Sequence, residues 1–198
     1  MKKIVFLFVL SCAFICFSCS NEPSDYVLEF SKLDSSQKEQ IRGEIDSLIT
    51  RSGAINADSI NVYEADSILE PFVVRGRAFQ QEVMRAAQAP AMAGVIPTTD
   101  IAIVASLTDY ELALATVAVD VWLGNVEPYD PTGSLEVVDD ILPCLIAASG
   151  LAEIAELVTE PLTIRVAIRL LKQVARRSVG GAIEVAIIVL SFLDCIYN

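Results

Sequence analysis

The sequence predicts an all-α protein: a single bundle of five or six helices around one hydrophobic central helix. Three observations predict it. Apolar residues recur at helical spacing, as with Ile41, Ile45, Leu48 and Ile49 at i, i+4, i+7 and i+8. No run alternates apolar and polar residues between hairpin turns, and no repeat period appears. Residues 101–124, IAIVASLTDYELALATVAVDVWLG, form the longest apolar run beyond the N-terminal leader. A helix that is hydrophobic all round must be covered by its neighbours.

Taken in order, the chain opens with MKKIVFLFVLSCAFICFS, which combines a basic start (Lys2, Lys3), an apolar stretch over 4–17 and a small residue, Ser18, directly before Cys19. A cleaved export signal has this layout. The apolar run falls short of the ~20 residues of a comfortable membrane span. A cysteine straight after the small residue resembles the lipobox of bacterial lipoproteins, in which that cysteine is lipidated and becomes the new N-terminus. Cys16 stands where Leu is usual, and Cys19 is followed by Ser20, Asn21 and Glu22, so the leader resembles the looser Bacteroides-type form. Ser20 beside the cysteine resembles lipoproteins sent to the outer membrane. The resemblance covers the leader alone. It implies residues 1–18 as signal peptide and a lipid anchor on Cys19 that tethers the chain to the outer membrane, on its periplasmic or surface face.

Residues 19–34 then read as a tether and lead-in segment, and 35–198 as the helical domain. The first helix starts at Ser35 or Ser36, runs to about Ser52 and stops at Gly53. Residues 54–70 show no sustained period and read as a loop with a turn of helix over 64–69. Pro71 suits the first position of the next helix, which carries Phe72, Arg75, Phe79, Val83 and Ala86 on one side and ends near Gln88. The segment APAMAGVIPTT over 89–99 reads as a linker and the best hinge in the chain.

Thr98, Thr99 and Asp100 offer N-caps for the central helix and Gly124 its stop. On one continuous helix Asp100 and Glu111 share a face, and Asp109 and Asp120 the opposite one. Mid-span acids costing ~2.5–3.5 kcal/mol each argue against a membrane-spanning helix. Residues 125–133 read as a loop. A helix opens at Ser134 and is expected to kink or break near Ile141, because Pro143 lies too deep to be a start. Beyond it, 145–159 reads as a helix bearing an acidic stripe of Glu153, Glu156 and Glu160, ended by Pro161. The helix over 162–179 carries the one basic stripe, Arg165, Arg169, Lys172 and Arg176. Arg165 and Arg176 are spaced like Asp109 and Asp120, so Arg165, Lys172 and Arg176 are expected to pair with those acids, with the preceding glutamates as competitors. Gly180 and Gly181 break the chain before a final apolar helix to Tyr197.

Charge and composition narrow the function classes. Of the 14 basic residues, Lys2 and Lys3 leave with the leader, so 12 basic side chains face 26 acidic ones, a net charge of −14. Nucleic acid and anionic lipid are thereby poor partners for the surface as a whole. Cys12 and Cys16 also leave, and Cys144 and Cys195 remain as either a disulfide, closing a loop of about 50 residues and contributing roughly 4 kcal/mol, or two buried apolar thiols. The chain has no histidine, which removes His-dependent hydrolases and the Glu-x-x-His di-iron bundle, and it has no nucleotide-binding glycine loop. Neighbouring acids such as Asp109 and Glu111, or Asp139 and Asp140, point to different sides of a helix and do not converge on one bond. The loop 125–136 has oxygen ligands at the ends of an EF-hand-like spacing, but Tyr129 and Asp130 break the pattern. The expectation is a lipid-anchored envelope protein that binds or supports rather than catalyses, without cofactor or metal. Its alternatives are an immunity or inhibitor lipoprotein against a basic toxin or enzyme, and a membrane-active, pore-forming helical bundle.

Overall fold

The computed structural model describes Leu28 and residues 34–52, 60–123, 137–158, 160–177 and 179–197. Among these residues the chain forms α1 (Ser35–Ser52), α2 (Val62–Ala87), α3 (Thr98–Ala105), α4 (Asp109–Trp122), α5 (Val137–Ser149), α6 (Ile154–Val158), α7 (Ile164–Arg177) and α8 (Ala182–Tyr197). The protein is an all-α bundle. The leader, Cys19 and the loop 125–136 lie outside the described residues, as do the side chains of Asp139 and Asp140.

One local device opens three of these helices. An Asx or Thr side chain accepts from the backbone three residues on, and a Glu or Gln at that position accepts in return, so two otherwise orphaned N–H groups are satisfied together. Before α1, Asp34 Oδ1 accepts from Gln37 N at 2.8 Å while Gln37 Oε1 accepts from Asp34 N at 3.0 Å. Before α2, Asn61 Oδ1 accepts from Glu64 N at 3.1 Å and Glu64 Oε2 from Asn61 N at 3.1 Å. Before α4, Glu111 N donates to Thr108 Oγ1 at 3.3 Å and Thr108 N to Glu111 Oε2 at 2.7 Å.

The second and third of these caps redraw the predicted map. Residues 101–124 are not one central helix: α3 and α4 meet at a break over 106–108 and bend by 104°. The Thr108–Glu111 cap starts a new helix inside the apolar run, and Gln80 Nε2 on α2 donates to the Val104 carbonyl at 2.6 Å, occupying an acceptor at the end of α3. The cap residue of α3 is Pro97, which makes no side-chain bond, so Thr98, Thr99 and Asp100 do not serve as N-caps. Likewise α2 starts at Val62, and Pro71 lies inside it rather than at its first position. Pro71 lacks the N–H that would bond the carbonyl of Ser67, and Ser67 is exposed to solvent.

The core is organised by α4 packed on α2, the most extensive helix pair in the bundle. Every residue of α4 from Leu112 to Val121 is buried, whereas α3 buries only Val104. The two backbones approach closely at Gly76, where a Cβ would lie 2.6 Å from the Leu112 carbonyl oxygen. Thr116 at this crossing directs its hydroxyl at two carbonyls, Leu112 at 2.8 Å and Phe72 at 3.0 Å. Against this pair pack α7, through Val166, Leu170, Leu171 and Val174, and α8, through Val185, Val189 and Phe192. Cys144 on α5 is bonded to Cys195 on α8, with Cα atoms 5.7 Å apart.

Three connections differ from expectation. The 89–97 connector is not a free hinge, because a 3-10 turn at Pro90–Met92 folds it and Met92 and Ile96 are buried in the core. Pro143 neither breaks nor ends its helix, since α5 continues through it to Ser149. The stop comes instead at Gly150, whose φ of +69° suits only a residue without a Cβ. The expected helix over 145–159 is therefore two helices. Glu153 precedes α6 and Glu160 follows it, so the three glutamates form no helical stripe.

Candidate functional site

Asp109 and Asp120 are neutralised by α2, not by the basic helix. Asp120 is fully buried and accepts from Arg75 Nη2 at 2.8 Å, with the Arg75 guanidinium stacked 5.1 Å from the Phe72 ring centre. Asp109 receives a two-pronged bond from Arg77, Nε to Oδ1 at 2.7 Å and Nη2 to Oδ2 at 2.5 Å. That bond holds the Asp109 carboxyl below the usual carboxylate range. Beside it the Tyr110 hydroxyl donates to Asp66 at 3.2 Å, which raises the phenol. The expected pairing of Asp109 and Asp120 with Arg165, Lys172 and Arg176 is thus replaced. Arg75, standing in an otherwise apolar stripe, was the sequence signal for a buried carboxylate partner.

The basic helix has other duties. Lys172 donates to Asp100 at 2.7 Å, a half-buried pair that ties α7 to the first turn of α3. Arg169 pairs with Glu160 at 2.6 Å near the surface. Arg165 and Arg176 are exposed and have no ion-pair partner among the described residues.

Between the start of α7 and the start of α3 lies a cleft of 710 Å³, within the ~300–1,000 Å³ typical of small-molecule sites. Val95, Ile96 and Pro97 form one apolar wall, and Pro161, Val166 and Ile168 line the other. Asp100, Glu160, Thr163, Arg165 and Arg169 supply its polar groups. The buried positions Met92 and Ile96 fix the first wall, and the burial of Ile164, Val166 and Ile168 fixes the second. Both lining acids are paired, Asp100 with Lys172, which stands outside the lining, and Glu160 with Arg169. Arg165 is the cation left over.

Leu28 packs at the same corner. Leu28 is fully buried, and its N–H donates to the Leu162 carbonyl at 3.3 Å, between Pro161 and Thr163 of the cleft. A second, smaller pocket of 290 Å³ lies at the far end of α7, where Arg176 and Arg177 face Glu153 and Gln173 beside Gly150. Among the described residues no group of His, Cys, Asp or Glu converges to hold a metal ion, and no single helix is long and apolar enough to cross a membrane. Compared with family models, curated proteins and solved structures, the chain matches none.

Proposed function

We propose that this chain is a lipid-anchored protein of the bacterial envelope that acts by binding, with the cleft between α3 and α7 as its binding surface. The observation that carries the reading is the docking of Leu28 on Leu162 at the cleft rim. Leu28 is the ninth residue after Cys19, so the two lie at most about 32 Å apart. A lipid on Cys19 would therefore hold the cleft close to the bilayer. Around the cleft Asp100 and Glu160 are each held by a cation, which supports a binding surface.

The experiment is fractionation of cells that express the full chain or its Cys19→Ala variant. The parent chain is expected in the membrane fraction and the variant in the soluble fraction; equal membrane association of both would refute the anchor. The pore-forming reading is the weaker one. To enter a bilayer, α4 would have to leave α2, separating Asp120 from Arg75.

A further inference from the structure

We infer that the cleft takes an amphiphile with a single anionic head, an alkyl carboxylate, whose head is bound by Arg165 and whose chain lies between Ile96 and Val166. This rests on the binding reading above and names its ligand class.

After the leader the chain carries a net −14, and Arg165 is an exposed cation at the cleft with no ion-pair partner among the described residues. At the cleft, Asp100 and Glu160 cancel Lys172 and Arg169 pairwise, which leaves one positive charge, on Arg165. One residual charge selects a monovalent head. A guanidinium presents parallel donors that match the two oxygens of a carboxylate, and such charge-assisted bonds are the strong ones. The walls then select the remainder of the molecule. Val95, Ile96, Pro97, Val166 and Ile168 offer no partner to a polar body, whereas an alkyl chain laid against them gains ~25 cal/mol per Å² of apolar surface removed from water. The Leu28 docking adds access, because a tether of at most about 32 Å keeps the cleft within reach of a bilayer, where such amphiphiles partition.

The test uses the full chain in isolated membranes and a photoactivatable dodecanoate as probe, with crosslinks mapped on peptides. Labelling is expected at 95–97 and 161–168 and is expected to be competed by plain dodecanoate but not by dodecanol. Arg165→Gln should weaken the competition about ten- to hundredfold, the worth of a hydrogen bond to a charged group. Arg176→Gln, on the same helix but outside the cleft, should change nothing. No labelling in the cleft of the anchored chain would overturn the proposal. Equal labelling of Arg165→Gln, or equal competition by dodecanol, would overturn the anionic class while leaving the cleft a binding site. A chain that is labelled at the cleft yet insensitive to Cys19→Ala in fractionation would keep the ligand class and sink the anchoring.

Discussion

Asp120 has no exposed surface, and its charge is met by Arg75, itself nearly buried and laid over Phe72. A buried ion pair of this kind contributes little net stability relative to apolar residues of the same volume, since desolvation of both partners offsets their attraction. Removing one partner is another matter. Asp120→Ala removes the buried carboxylate that Arg75 Nη2 bonds and is expected to destabilise the protein by about 3–5 kcal/mol, read from urea denaturation. The double variant Arg75→Met with Asp120→Leu is expected to recover most of that loss. A single-variant cost below about 1 kcal/mol would show that water already reaches the pair. The pair was half legible in the sequence. Asp120 stood out as an acid in an apolar run, and Arg75 as a base in an apolar stripe, but nothing in either helix said that they meet. The rival spacing of Arg165 and Arg176 matched the acids equally well, and register between distant helices is set by packing that no local pattern encodes.

At the scale of elements, the break between α3 and α4 decides which way the bundle turns. The apolar pattern runs across it unbroken, so hydrophobicity alone reads one helix. The discriminating signal is TDYE over 108–111, a capping box embedded in the run, and the same signature stands as NVYE over 61–64. Where tertiary bonds reinforce the box, as Gln80 does at the Val104 carbonyl, the cap prevails over helix continuation. Pro71 misleads for the converse reason. A proline mid-helix is costly in general, but here the carbonyl it deprives belongs to exposed Ser67. Thr108→Ala is therefore expected to cost about 0.5–2 kcal/mol. Thr98→Ala and Thr99→Ala, at exposed positions without a capping bond, should each stay within about 0.5 kcal/mol of the parent. Denaturation midpoints of the three variants check this, and a larger loss at Thr98 or Thr99 than at Thr108 would contradict the assignment of the cap.

For the whole molecule, the Cys144–Cys195 bond closes a loop with a sequence separation of 51 around α6, α7 and most of α8. That loop contains one entire wall of the cleft, from Pro161 to Arg169, whereas the opposite wall at 95–97 belongs to the connector that follows α2. The crosslink thus restrains the part of the bundle that carries the basic helix, and the part built on α2 and α4 relies on its own packing. By the chain-entropy relation a loop of this length stabilises the folded state by about 4 kcal/mol, largely by limiting the unfolded chain. Reduction followed by alkylation of both cysteines is expected to lower the urea midpoint accordingly. Amide exchange should then quicken first in α6, α7 and α8, because the loss falls on the segment whose closure the bond maintained, while the α2–α4 crossing at Gly76 and Thr116 keeps its backbone bonds. If both thiols of the protein isolated from cells alkylate readily without reductant, the bond does not form there. If exchange quickens uniformly, the bundle unfolds as one unit, and the cleft's two walls share a single stability.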